Sequence, residues 1–278
     1  MKITVLCETN KAYCDDSAGT AGAGFWVIDG ATGCYKNRLA GYPSDANWYA
    51  GTINGYFERN LSDTSRTLSA IAADAAKFAG EQYARLTAGE SAAPDAYPCA
   101  TVAAARINSD RLETFLIGDC SIVFSSAGKI TAAHDERGHR FEEPLIRDMH
   151  EYIIRTGCRV GEAREHFAAR FRGNRSYKNK EDGFYVLEFD PQAATHAVTG
   201  TYPAADVDEL LLATDGFYRA ADVFGICDGD AGLLEAVRSS GLPAVFSGIS
   251  DREKSDPDCR KYPRTKQFDD CSAVFMTK

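Results

Sequence analysis

The chain has 278 residues, 44% of them hydrophobic, and a formal net charge of -9. That length and composition allow a sizeable core, and the acidity excludes a nucleic-acid surface held by general electrostatics. No apolar stretch approaches the roughly 20 residues of a spanning helix, and the first residues lack the pattern of a secretory leader.

In chain order, residues 2–7 and 23–28 are expected strands. From Leu61 the apolar positions Leu68, Ile71, Ala75, Phe78, Ala79 and Leu86 follow helical spacing, with Ser62, Asp63 and Thr64 as N-caps and Gly89 as a stop. Two prolines mark 90–99 as a loop. Three runs follow, "ATVAAARI", "RLETFLIGD" and "CSIVFSSAGKI", separated by Asn108-Ser109-Asp110 and Gly118-Asp119. They read as an antiparallel meander. Residues 143–156 and 162–171 are expected helices, the first with Leu145, Met149 and Ile153 on one face. Strands are expected at 183–189 and 195–202, and 208–217 is an apolar run ending in Asp-Gly. A helix at 230–240 and a strand after Asp269-Asp270 complete the chain. Strands in antiparallel series between long helices predict an α+β fold: two packed sheets flanked by helices, an αββα four-layer sandwich. No linker divides the chain, so a single domain over 1–278 is expected.

The nine cysteines are odd in number and form no CxxC pair. They predict free thiols in a cytoplasmic protein rather than a disulfide framework or a zinc knuckle.

Four segments share one grammar. "FWVIDG" delivers Asp29 at the end of an apolar run, and "LLLATDG" does the same for Asp215. "FDDCSAVFM" puts Asp269 and Asp270 before a strand, and "TFLIGDCS" puts Asp119 in a turn. Aspartate favours turns, so any one of these taken alone is an ordinary turn. Carboxylates converging from all of them would repel one another unless cations stood between them. Hard ions such as Mg²⁺ or Mn²⁺ take oxygen ligands. Two of them about 3.5–4 Å apart make a hydrolytic centre for phosphoryl groups.

At these residues the sequence resembles the metal-dependent serine/threonine protein phosphatases, the type 2C family. "DGATG" (29–33) is similar to that family's DGxxG, "GDCS" (118–121) to its GDS turn, and "LLLATDGFY" (210–218) to its SDG segment. "DDCSAVFM" (269–276) is similar to its terminal DN before a strand, and the resemblance runs from about residue 10 to the end. The resemblance implies hydrolysis of phosphoserine and phosphothreonine in phosphorylated proteins, or of a small phosphate ester, with two or three Mn²⁺ or Mg²⁺ ions. It implies that Asp29 bridges two metals and that the Gly30 carbonyl joins it. Asp215 and Asp270 would bind the other metal, Asp16 would hold metal-bound water with Asp15 beside it, and Asp119 with Asp215 would serve a third position.

There are departures. Lys11 stands five residues before Asp16, where the family usually has a phosphate-gripping arginine. Lysine neutralises phosphate as a point charge without the bidentate fork. Thr32-Gly33 replaces the second glycine pair of the turn, and Cys271 stands where asparagine is common. Residues 134–182 match the family poorly. These departures keep a second reading open, a catalytically impaired phosphatase-like regulatory or binding module.

Other signals are discounted. "GTAGAG" (19–24) precedes a strand rather than a helix, against a nucleotide loop. His134 and His139 are placed in a loop, and no histidine is assigned to catalysis. The basic run 171–180 is expected to be a solvated loop, and Lys254, Arg260, Lys261, Arg264 and Lys266 are expected at the surface.

Overall fold

The structure is a computed structural model that describes residues 1–33, 37–90 and 93–278. Cys34 and residues 91–92 of the expected 90–99 loop lie outside the described residues. The chain begins with β1 (Lys2–Thr9), β2 (Ser17–Ala21) and β3 (Gly24–Ala31), then α1 (Asp45–Asn60) and α2 (Leu68–Leu86). Four strands follow, β4 (Cys99–Asn108), β5 (Arg111–Ile117), β6 (Ser121–Ser126) and β7 (Lys129–His134). Next come helices α3 (His139–Thr156), α4 (Val160–His166) and α5 (Ala168–Arg175). β8 (Val198–Pro203) and β9 (Val207–Ala213) lead to α6 (Asp215–Asp222), α7 (Gly229–Ser240), α8 (Leu242–Ser255) and β10 (Asp270–Thr277).

Two five-stranded antiparallel sheets result, ordered β1-β10-β9-β6-β7 and β2-β3-β4-β5-β8. The expected sandwich is therefore observed. Its layering explains the continuous apolar runs. Along β3, Phe25 and Val27 join the core between the sheets, while Trp26 and Ile28 join the core beneath α1 and α2. β9 does the same on the other side: Leu210 and Leu212 face the inter-sheet core, and Leu211 packs with Phe217, Leu234 and Ile249 from α6–α8. Strands buried on both faces alternate between two apolar cores, so no polar alternation is visible in their sequence.

Several expectations change. The third run of the supposed meander leaves the sheet of β4 and β5: Gly118-Asp119-Cys120 carries the chain across to the other sheet, where β6 pairs with β9. That run is also two strands, turned at Ala127-Gly128, both of positive φ. The first long helix starts at Leu68 rather than Leu61, because Thr67 accepts the Ala70 amide in its side chain. At its other end Gly89 supplies the expected stop, with φ 75 and its amide bonded to the Ala84 carbonyl. The expected helix at 162–171 is divided between α4 and α5. Residues 183–189 form isolated bridges instead of a strand.

α1, α8 and β2 were not anticipated. α1 carries Gly51 and Gly55, which weaken its helical signature. Tyr49, Ile53 and Phe57 nevertheless bury one face, and Ser44 caps its start by accepting the Asn47 amide. The basic run 171–180 is not a solvated loop. Its first residues close α5, and Lys178 is buried and paired with Glu188. Arg264 is buried too, 2.8 Å from Asp256. Among the described residues no helix is long and apolar enough to cross a membrane.

Candidate active site

Strand register brings the carboxylates to one end of the sandwich. Ala213 of β9 pairs with Ala273 of β10 on one side and Ser121 of β6 on the other. Just beyond that line, on the same edge, stand Asp215, Asp269 with Asp270, and Asp119. On the facing sheet Asp29 pairs with Thr101, and Thr101 Oγ1 lies 3.3 Å from Cys120 Sγ beside Asp119. Asp16 is buried at the entry to β2, where its Oδ2 accepts a 3.0 Å hydrogen bond from Thr214 Oγ1.

Two glycines permit this closeness. A Cβ on Gly30 would stand 2.4 Å from the Asp15 carbonyl oxygen and 2.9 Å from that of Ala46. A Cβ on Gly216 would stand 1.9 Å from the Asp270 carbonyl oxygen. Asp-Gly is thus a packing requirement at both strand ends. The second pair is not a plain turn: Asp215 opens α6, with Thr214 at the N-cap position.

The electrostatics divide the group in two. Burial holds the Asp29 carboxyl well above the usual range, and the charges of Asp16, Asp215 and Asp119 add to it. Asp16 is raised in the same way, by burial and then by Asp270, Asp269 and Asp215. Asp119 is pushed up to about 6 by burial and Asp215. Asp222 is also pushed up to about 6, again by burial and Asp215. Glu142, in the first turn of α3, is exposed. Desolvation by the surrounding protein, with Asp119 and Asp215, pushes it up to about 8.

Asp269 behaves oppositely. Burial works against its charge, but Arg219 and Lys266 outweigh burial and hold the carboxyl below its usual value. Arg219 forms a buried ion pair with Asp269 and lies 3.7 Å from Asp215 and 3.8 Å from Glu253. Lys266 reaches Asp269 Oδ1 at 2.5 Å. Glu253 Oε1 accepts the Asp269 amide at 3.0 Å, and its Oε2 accepts from Asn10 Nδ2 at 3.0 Å.

Lys11 faces this group, but it is engaged. Its Nζ is 2.6 Å from Asp270 Oδ2 and 3.6 Å from Asp15 Oδ2. The Asp15 amide donates to the same Asp270 oxygen at 2.8 Å, and Ser44 Oγ donates to Asp15 Oδ1.

The donors fit a hard cation in chemistry. They are all oxygens, several repel one another, and Asp119 Oδ1 and Asp270 Oδ1 are buried without a hydrogen-bond partner. Among the described residues, however, no three His, Cys, Asp or Glu side chains converge closely enough to hold a metal ion. The structure thus brings Asp16, Asp29, Gly30, Asp119, Asp215, Asp270 and Lys11 to one end, short of a closed coordination shell.

Sequence reasoning missed Arg219, Glu253 and the inward role of Lys266. Arg219 carried a readable signal, since it follows Asp215 by one helical turn in "DGFYR". The histidines also stand differently. His134 ends β7, with Nε2 3.0 Å from Asp230 Oδ1 and Nδ1 3.1 Å from Ser121 Oγ. Ser121 is buried, so this chain of contacts ties α7 to β6 and β7 rather than exposing a nucleophile.

The fold is shared with solved phosphatases. A structure described as a bacterial serine phosphatase matches with a TM-score of 0.59 and 13% identity, covering 100% of this chain and 97% of that one. The serine/threonine phosphatase Stp1 from Staphylococcus aureus matches at 0.58 with 13% identity, covering 100% and 94%. The catalytic domain of the serine/threonine phosphatase PstP, solved with 2 manganese ions, matches at 0.54 with 13% identity, covering 98% and 96%. Among curated proteins no significant match was found. The family profile described as protein phosphatase 2C matches residues 6–228, from β1 to the loop before α7 and through Asp16, Asp29, Asp119 and Asp215. The chain belongs to the protein phosphatase 2C family.

Proposed function

We propose that this chain is a metal-dependent phosphatase acting on phosphoserine and phosphothreonine, a single domain whose substrate is a phosphorylated protein or a small phosphate ester. One observation supports this most: carboxylates from both sheets gather at one end, where burial and mutual repulsion hold Asp16, Asp29 and Asp119 toward the neutral form. Asp29, the Gly30 carbonyl, Asp16, Asp215 and Asp270 would hold Mn²⁺ or Mg²⁺, and Asp119 with Asp215 would hold a further ion. Bound there, the ions would supply acidified water and counter-charge for phosphoryl oxygens.

The chain's own residues position these parts. β3 fixes the Asp29 backbone and the first turn of α6 that of Asp215, so their carboxylates need little reorganisation when substrate arrives. Gly30 and Gly216 let the walls approach, since a Cβ at either would overlap a backbone carbonyl. Lys11 would turn from Asp270 toward a phosphoryl oxygen once a cation takes over its partner, neutralising it as a point charge. Arg219 and Lys266 hold Asp269 ionised beside Asp270.

Phosphate release from a phosphothreonine peptide, measured with manganese, with a chelator and with Asp29→Asn, tests this reading. Release that requires manganese and is lost in the variant is the expected result. No release from folded protein in any metal would remove the proposal.

The placement of Lys11 favours a second reading. Its ammonium already occupies Asp270, as a structural counter-ion would in a binding module without metal. A module of that kind would show no manganese-dependent rise in melting temperature.

A further inference from the structure

Two cysteines unused by the proposed chemistry bracket the Lys11 loop. Cys7 lies on β1 and is exposed; Cys14 directly precedes Asp15 and is half-buried. Their sulfurs are 3.6 Å apart. The Cys7 thiol also donates to the Asp16 carbonyl at 3.6 Å. A disulfide bond measures about 2.05 Å, so the sulfurs must close by about 1.5 Å. The segment between them can yield, since Ala12 and Tyr13 are exposed. Cys99, Cys120, Cys259 and Cys271 are buried, out of an oxidant's easy reach.

We infer that Cys7 and Cys14 are an oxidation site, a thiol pair that a peroxide converts to a disulfide clasp across the Lys11 loop, lowering the phosphatase activity. The exposed Cys7 sulfur attacks one peroxide oxygen, the O–O bond breaks, and water leaves with a sulfenic acid in place. Cys14 sulfur then attacks the Cys7 sulfur and expels the hydroxyl as a second water. The two sulfurs lose two electrons in total, and one peroxide is reduced to two waters.

The clasp acts on the site through named contacts. Lys11 lies inside the closed loop and holds Asp270 Oδ2. Asp15, next to Cys14, donates its amide to the same oxygen and accepts from Ser44. Drawing Cys14 toward β1 pulls Asp15 from both partners, and it removes the Cys7 bond to Asp16. It also limits the swing of Lys11 toward a phosphoryl oxygen. The loss of one charge-assisted contact corresponds to about a tenfold fall in rate.

The disulfide rests on the placement of the two sulfurs, whereas its effect on rate rests on the phosphatase reading. The test uses the full chain, reduced and hydrogen-peroxide-treated, in wild-type, Cys7→Ser and Cys14→Ser forms. Peptide mapping by mass spectrometry and manganese-dependent phosphate release are read together. A Cys7–Cys14 linked peptide, a fall of about tenfold in kcat/KM, recovery with dithiothreitol and resistance of both serine variants are expected. Absence of the linked peptide overturns the clasp. A mapped disulfide with unchanged kcat/KM, or equal loss in the serine variants, overturns the regulatory half. If the reduced protein releases no phosphate, the phosphatase reading fails by itself, and the peptide map still decides whether the clasp exists.

Discussion

Asp269 and Asp29 occupy opposite sheets at the same end of the sandwich, and their surroundings differ in one respect. Asp269 is ringed by Arg219 and Lys266, which outweigh its burial and keep it ionised. Burial drives Asp29 toward the neutral form, and the charges of Asp16, Asp215 and Asp119 drive it further. Burial raises both carboxyls; at Asp269 two cations outweigh it, and at Asp29 the neighbouring carboxylates add to it. The Asp269 side is complete as folded. The Asp29 side stores repulsion that an added cation would relieve, which is why the two aspartates should answer differently to the same substitution.

The largest contrast is in rate. Asp29→Asn should lower manganese-dependent kcat by roughly a thousandfold, as expected when a preorganised charge at the reacting centre is lost. In the metal-free protein it should stabilise, because it removes a group that folding disfavours in its ionised form. With its folded pKa raised, Asp29 costs stability as pH rises above the unfolded value of about 3.9. Urea unfolding of metal-free wild type should weaken from about pH 4 upward, less steeply in the variant. An unchanged pH slope would place Asp29 outside the repelling group.

Asp269→Asn should do the reverse, destabilising by about 3 kcal/mol because Arg219 loses its closest buried partner. A melting temperature equal to wild type would show that Asp215 and Glu253 suffice for Arg219. Manganese at a hundredfold excess over its Kd should stabilise the chain by about 2.7 kcal/mol. That gain should vanish in Asp29→Asn and survive in Asp269→Asn; loss of the gain in both variants would erase the distinction between the two sides.

The smallest expected effect lies away from both aspartates, at His134. Its hydrogen bond to Asp230 raises its pKa despite partial burial. That contribution is complete below the unfolded value near 6.5 and is lost as pH rises through the higher folded value. His134→Gln should cost about 1 kcal/mol at pH 6 and less at pH 9. An equal cost at both pH values would mean that packing, not charge, matters there.

Much of this was legible in particular residues. "FWVIDG" and "LLLATDG" showed that apolar runs deliver aspartates, and Leu145, Met149 and Ile153 marked the buried face of α3. α1 was hidden because Gly51 and Gly55 break the look of a helix whose stability comes from burying Trp48, Tyr49, Ile53 and Phe57. α8 was hidden among charged residues such as Arg252 and Lys254, although Val245 and Ile249 bury its other face. Lys266 and Arg264 looked like surface charges, since a side chain's partner across the fold leaves no mark in its own segment.

The sequence by itself determined most of the apolar strands, such as β3, β4, β5 and β9, their acidic ends and the order of the motifs, because apolar runs and turn residues are local physics. The tertiary structure decided which carboxylates meet, that β6 leaves the sheet of β4 and β5, and which aspartate receives an arginine. Those outcomes depend on strand register and side-chain reach between residues far apart in the chain, where one step of pairing turns a side chain to the opposite face.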